Sequence, residues 1–164
     1  MNTKELKIIL TKHKQWLMDE KNGGLANLSR ADLTSADLTG ADLADADLAG
    51  ANLAGADLSH ANLVNADLRL ANLTNTDLRC ADLRHANLAG AILTHADLTR
   101  ADLDFSSFPL WCGSFNVKVD KRIAAQLAYH FCRLDCDNEK YLKAKEALTD
   151  LANDFHRVEE CGKI

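Results

Sequence analysis

The chain has 164 residues, is 47% hydrophobic and 26% charged, and carries a net charge of −5. That length suits one domain with appendages. No apolar run is long enough to span a membrane, and no basic, apolar and small-residue succession marks a secretory leader. Five cysteines, an odd number at irregular spacings, predict free thiols in a reducing compartment, so a cytoplasmic location without membrane contact is expected.

Residues 2–20 are predicted to form an amphipathic helix. Leu6, Leu10, His13 and Leu17 fall on one face, with Ile9 and Trp16 beside them. Asn2 or Thr3 caps its start, and Asn22, Gly23 and Gly24 end it. Lys4, Lys7, Lys12 and Lys14 lie largely on the outer side, where three acids dilute them as a basic contact surface. The expected role of residues 1–25 is a lid over the open edge of the segment that begins at Ala26.

From Ala26 to Phe105 the sequence reads in fives: ANLSR, ADLTS, ADLTG, ADLAD, and so on through sixteen units without an insertion. Leu holds the third place throughout, from Leu28 to Leu103. Ala holds the first place except at Thr76, and Asp or Asn the second except at Ile92. A helix returns its apolar face every 3.6 residues and a strand every 2. On a helix, a Leu at every fifth position would advance about 500° per unit and never form a face. The period therefore predicts a solenoid that turns a corner every five residues and stacks each coil on the last. Leu points in, with Ala beside it because a Leu-filled interior leaves no room for a second large residue. The other three places point out.

The A(D/N)LXX motif resembles that of the pentapeptide-repeat family, over residues 26–105. The resemblance implies a mainly β fold, a right-handed four-sided β-helix with four units per coil. Sixteen units would make four coils, about 19 Å tall at one strand spacing per coil. Units four apart then stack, and their second places form columns: Asn27, Asp47, Asp67 and Asn87; Asp32, Asn52, Asn72 and Ile92; Asp37, Asp57, Asp77 and Asp97; and Asp42, Asn62, Asp82 and Asp102. The third column is an uninterrupted acidic ladder, each neighbouring pair repelling by about 1 kcal/mol even in a water-like dielectric. Asp and Asn also suit tight corners by bonding nearby backbone N–H groups. That leaves unexplained why Asp outnumbers Asn, since Asn would avoid the repulsion; solubility is one reason and a basic partner another.

Residues 26–105 carry a net charge of −7, of which residues 26–65, with six Asp and only Arg30, carry −5. Asp45 adds to Asp42 and Asp47 in this acidic half. Gly40, Gly50, Gly55 and Gly90 read as turn residues. After Phe105 the pattern fades: Ser106, Ser107 and Phe108 fit a seventeenth unit before Pro109 interrupts it. The solenoid is thus expected over 26–110 and a C-terminal helical module over 111–164. Asp120 caps its first helix, which carries Ile123, Leu127, Phe131 and Leu134 along one side. Asp137 or Asn138 begins the second, with Tyr141, Leu148, Leu151, Phe155 and Val158 inward.

Chemistry is hard to assemble from these residues. His60, His85 and His95 all occupy fifth places but on three faces, so they do not converge. Cys132 and Cys136, with Cys112, Cys161 or His156, are the best metal candidates, yet zinc favours tighter Cys pairs and buried thiols explain them as well. Asp135 and Asp137 sit where helix-start acids belong. No basic stripe for direct nucleic-acid binding exists. No enzyme activity, cofactor or metal is therefore expected.

Two functions remain. The first is a protein–protein interaction module on the acidic solenoid, with the C-terminal helices pairing two chains through Ile123, Leu127, Phe131, Leu148, Leu151 and Phe155. The second is a DNA-mimic inhibitor of a DNA-binding protein, either gyrase or topoisomerase or, for a phage-derived chain, a host defence protein. Its expected contacts are Asp37, Asp57, Asp77 and Asp97 with Asp42, Asp45 and Asp47. The rod carries about one charge per 2.7 Å, against one per about 1.7 Å for duplex DNA. The family resemblance extends to the quinolone-resistance pentapeptide proteins, which occupy the DNA site of gyrase. This solenoid differs from theirs in being shorter, lacking an interrupting loop, and carrying five Arg.

Overall fold

The computed structural model describes residues 1–107, 117–132 and 139–154, except for the side chains of His130 and Phe131. They form two compact units, Met1–Lys118 and Val119–Ile164.

The first unit opens with helix α1, Thr3–Leu17. Asn2 is its N-cap: its side chain accepts from the Glu5 amide, and the Glu5 carboxylate accepts from the Asn2 amide, 2.9 and 3.2 Å. This reciprocal box satisfies donors that the helix cannot pair internally. The helix stops at Leu17, sooner than the glycines suggest. Asp19 turns left-handed at φ 56°, and Glu20 donates to the Gln15 carbonyl. Gly23 then crosses so close to α1 that a Cβ there would lie 2.3 Å from the Trp16 nitrogen. Of the face expected to be inward, only His13 is fully buried; Trp16 is 41% exposed and stacks on the His13 ring, centroids 5.8 Å apart.

From Ala26 the chain coils. Each second-place residue makes one parallel bridge to the second place twenty residues on, Asn27 to Asp47, Asp32 to Asn52, Asp37 to Asp57, Asp42 to Asn62, and upward. A twenty-residue offset is four repeats, so each coil has four sides. Three backbone bonds per repeat tie coil to coil. In the first repeat, Leu28 N–H donates to the Asp47 carbonyl, Asp47 N–H to the Ala26 carbonyl, and Arg30 N–H to the Ala49 carbonyl, 2.7–2.9 Å. A fourth bond, Ala31 N–H to the Leu28 carbonyl, closes each corner. The sides are single bridging residues rather than extended strands, because places four and five are consumed by the turn.

The Leu column is the core, every member from Leu28 to Leu103 being at most 3% exposed. Thr76 fits the Ala place because its hydroxyl donates to the Leu53 carbonyl at 2.9 Å, satisfying a buried polar group. The fifth place has a backbone rule that the letters do not advertise. All sixteen fifth-place residues have φ between 56° and 72°, twelve of them non-glycine, from Arg30 to Phe105. Left-handed backbone costs an L-residue roughly 1–2 kcal/mol, which the stacked hydrogen bonds offset. The fourth place is less outward than expected. Ser59, read as an exposed position, is 7% exposed, with its hydroxyl 2.6 Å from Asp57 Oδ1.

The ladder outlasts the motif. Ser107 pairs with Asn87, as its place in a seventeenth repeat implies, and Lys118 then takes the second-place position above Asp97. Its amide donates to the Ala96 carbonyl and its carbonyl accepts from Leu98. The solenoid's pairing thus extends to Lys118, beyond the boundary expected at 110. In the second unit, α2 (Lys121–Cys132) and α3 (Glu139–Asn153) pack on each other through Ala128, Tyr129, Cys132 and Ala152, with Leu148 and Leu151 against that cluster. Asp120 caps α2, its Oδ1 accepting from the Ile123 amide at 3.0 Å. The expected caps Asp137 and Asn138 lie outside the described residues.

Substitutions at two positions separate core from corner. Leu58→Ala should cost about 2–5 kcal/mol by opening a cavity inside the stack. Asn75, at φ 58° and exposed, should tolerate Gly within about 0.5 kcal/mol but lose more than about 1 kcal/mol as Val, whose branched side chain is badly placed at positive φ. Urea denaturation measures all three, and an Asn75→Val variant as stable as the parent would refute the corner rule.

Candidate functional site

The second-place side chains are first of all turn formers. Each carboxylate or amide Oδ1 accepts the N–H two residues on: Asp37 from Thr39, Asp42 from Ala44, Asp47 from Ala49, Asp57 from Ser59, Asp77 from Arg79, Asp97 from Thr99. Asn does the same, as at Asn72 with Thr74. Asn adds a bond that Asp lacks, its amide N–H reaching one coil down, from Asn62 to Asp42 Oδ1 and from Asn72 to Asn52 Oδ1, and in a fifth-place column Asn65 does the same to Asp45 Oδ1, 2.9–3.1 Å. Where Asn interrupts a column it removes a repulsion and adds an inter-coil bond.

The all-Asp ladder needs another remedy, and its upper half has one. Arg at a fourth place folds back onto the second-place Asp of its own repeat. Arg79 Nη2 meets Asp77 Oδ2, while Nε donates to both oxygens at 2.9 Å. Arg69 engages Asp67 and Arg84 engages Asp82 in the same manner. At the top rung Lys118 Nζ lies 2.7 Å from Asp97 Oδ2.

The carboxyl acidities follow this division. Hydrogen bonds from the guanidinium hold Asp67, Asp77 and Asp82 below the usual carboxylate range, against the upward push of burial. At Asp97 burial pushes up more strongly, but the Lys118 ammonium and the Thr99 amide prevail and hold it at about 2. Asp57 is lowered without a bonded cation, chiefly by the Ser59 hydroxyl and amide.

The seven carboxylates expected as contacts therefore fall into two sets. Asp77 and Asp97 are ion-paired within the chain. Asp37, Asp42, Asp45, Asp47 and Asp57 make no ion pair among the described residues. All five lie in the first two coils. The pairing could have been read from sequence as Asp-Leu-Arg within one repeat, which occurs at 67–69, 77–79 and 82–84. The Lys118 rung could not, since it depends on the path of the chain after Phe105.

The fifth-place columns stack too. His85 and Phe105 lie parallel, ring centroids 4.9 Å apart. Arg30 and Leu70 extend over Gly50 and Gly90, where a Cβ would lie 3.5 Å from Arg30 Cγ and 2.8 Å from Leu70 Cδ2. A shallow groove of about 540 Å³ runs along this corner between Arg30, Arg69 and Leu70.

Among the residues expected to join two chains, Ile123 is fully buried, and Leu127, Leu148 and Leu151 are half-buried. The Phe131 side chain and Phe155 are outside the described residues. Leu142, not anticipated, is 49% exposed on α3. Among the described residues no three His, Cys, Asp or Glu side chains converge on a metal position. Cys132 is buried, its thiol 3.7 Å from the Lys145 carbonyl; Cys112, Cys136, His156 and Cys161 lie outside the described residues. No described helix is long and apolar enough to cross a membrane.

The family profile described as Pentapeptide repeats (8 copies) matches residues 26–65, 51–88 and 66–104. A solved pentapeptide repeat protein from the cyanobacterium Cyanothece 51142 is 36% identical, covers 58% of this chain and 60% of its own, and superposes with a TM-score of 0.50. A pentapeptide repeat protein from Nostoc Pcc 7120, alr5209, is 30% identical over 67% of this chain and 93% of its own, TM-score 0.40. The chain belongs to the pentapeptide-repeat family. QnrB1, a plasmid-mediated fluoroquinolone resistance protein, matches at 21% identity, over 67% and 72% of the two chains, TM-score 0.33. HetL, a pentapeptide repeat protein from Nostoc sp. Strain PCC 7120, is 35% identical over 57% of this chain, TM-score 0.42, and this chain spans only 60% of the length of the Cyanothece protein and 46% of that of HetL. No curated protein matches the sequence.

The Lys118–Asp97 pair gives a direct test. A carboxyl lowered in the fold contributes stability that is present above the unfolded value near 3.9 and lost as pH falls through the folded value. In Lys118→Met, the Asp97 carboxyl should move up from about 2 towards the ordinary range and acid unfolding should begin at higher pH. Carbon-13 titration of the carboxyl carbons reads the first and circular dichroism the second. An unmoved Asp97 would remove Lys118 from the account.

Proposed function

We propose that the chain is a protein-binding module that acts without catalysis, and that its contact surface is the carboxylates of the first two coils: Asp37, Asp42, Asp45, Asp47 and Asp57. The observation that supports this reading is the uneven pairing of charge. The upper coils meet their acids with Arg69, Arg79, Arg84 and Lys118, whereas these five acids make no ion pair among the described residues. Asp37 and Asp57, like charges one rung apart, repel each other at a cost in stability, while Asp42 and Asp45 accept from the neutral amides of Asn62 and Asn65. A basic partner surface would relieve that cost and be steered towards it.

The narrower reading is a DNA mimic that blocks a DNA-binding protein such as gyrase. The mimicking charge would then be confined to the lower half of the ladder, Asp37 and Asp57 with Asp42, Asp45 and Asp47 beside them, since Asp77 and Asp97 are matched internally. We propose in addition that two copies pair through the second unit, where Leu142 is exposed and Leu127, Leu148 and Leu151 are half-buried.

Changing all five acids to Asn keeps the Oδ1 acceptor that the corners use at Asp37, Asp42, Asp47 and Asp57 and that Asn65 uses at Asp45, and removes five charges. The variant should fold at least as stably as the parent. Its capture of partners from lysate should drop more than about tenfold, and the parent's binding should weaken with salt. Capture unchanged by the five substitutions would end the reading. Competition with duplex DNA for the recovered protein, or for gyrase, separates the narrower reading, which fails if the parent does not compete. For the pairing, light scattering at tens of micromolar should give twice the chain mass, and the mass of one chain once the residues after Lys118 are removed; a full-length monomer would refute it.

A further inference from the structure

We propose that His13 makes α1 an acid-releasable lid: protonating its imidazole frees the helix from the first coil and uncovers the N-terminal edge of the solenoid. The upper coils define what that edge is. In them each second-place N–H donates to a first-place carbonyl one coil below, as Asp47 does to Ala26 and Asp57 to Ala36. The first coil, with Asn27, Asp32, Asp37 and Asp42, has no coil beneath it. α1 stands there instead, and the first-coil residues Leu28, Leu33, Leu38 and Leu43 are at most 3% exposed.

His13 is the fully buried side chain of that helix, and its Nδ1 accepts the Ala26 N–H at 3.1 Å. An acceptor nitrogen carries no proton, so the ring is neutral with its hydrogen on Nε2. Nε2 is itself buried and meets no acceptor in hydrogen-bonding geometry, although the Ala44 carbonyl lies near the ring. A second proton would fall on Nδ1, convert the acceptor into a donor facing another donor, and place a charge where water is excluded.

The groups around the ring are few. Asp42 and Asp45 act on it from the first coil and favour the charged form, as does the Ala44 carbonyl; burial outweighs them and lowers the imidazole below the ordinary histidine value. Lys12 and Lys14 flank it on α1 and are exposed, and Trp16 stacks on its face. A further hydrogen bond to the first coil runs from the Met1 ammonium to the Asp32 carbonyl at 2.8 Å, an exposed contact. For a base lowered in the closed state, the closed state is favoured fully above about pH 6.5 and loses that advantage as pH falls towards its own lower value. Opening then grows by up to about tenfold per pH unit within that window.

Hydrogen exchange of the full-length chain tests this. After correction for intrinsic exchange, protection of the Ala26 amide and of the α1 amides should fall by up to about tenfold between about pH 7.5 and pH 5.5, while the amides of residues 46–103 keep theirs. In His13→Asn, whose Oδ1 sits where Nδ1 does but does not titrate, the pH dependence should vanish. If that variant leaves the lid open at both pH values, the wild-type imidazole nitrogen titration decides: its midpoint should coincide with the loss of Ala26 protection. Protection that is independent of pH in the wild type, an equal pH response in a closed His13→Asn lid, or two midpoints that differ would each overturn the proposal.

Discussion

Everything in the first unit depends on the bond that joins one coil to the next at the second place. A residue there donates its N–H to the coil below, and its carbonyl accepts from the Leu of that coil, so each repeat is held to its stacked neighbours rather than to its neighbours in sequence. The geometry is self-consistent only if every repeat has the same length. One inserted residue, unless looped out at a corner, would turn the Leu that follows it from the core towards the surface. The sixteen repeats without interruption are the sequence's expression of that constraint. The left-handed fifth place is its backbone expression: an unfavourable conformation repeated at every corner, because it alone closes the turn in five residues.

The same stacking creates the electrostatic problem that defines the molecule's surface. Side chains one coil apart are brought within one strand spacing of each other, whatever their charge. The chain answers in three chemically distinct ways. Asn reaches down with an amide donor, as at Asn62 and Asn65. Arg folds back within its own repeat, as at Arg69, Arg79 and Arg84. Lys118 arrives from beyond the repeats and caps the all-Asp column. Among the described residues the cationic answers are confined to Asp67 and above; in the first coil Asp42 and Asp45 accept from Asn amides, and the lid is found beside them.

A stack also has ends, and an end is costly because it exposes apolar side chains and unpaired backbone together. At the N-terminal end α1 covers both, and His13 is the contact through which helix and first coil share a hydrogen bond. Using an imidazole acceptor at that point ties closure of the end to proton activity; an amide side chain would have met the same N–H without that dependence.

The period of five, the invariant Leu and the small first-place residue were enough to establish a solenoid with Leu inside. Steric fit at those places is local and repeats identically, so it is legible letter by letter. The capping Asn2 and Asp120 were legible for the same reason, each acting on an amide three residues away. Within the candidate site, the columns of second-place acids followed once four repeats per coil was accepted. What they do to one another did not follow. The burial of Ser59, the Lys118 rung above Asp97, and the role of His13 depend on groups placed by the path of the chain, at separations from 2 to 21 residues that no periodic rule specifies. The fifth-place conformation was hidden for a different reason: twelve side chains other than glycine occupy it, so residue type does not report it, and only the closed stack makes left-handed backbone the cheaper alternative.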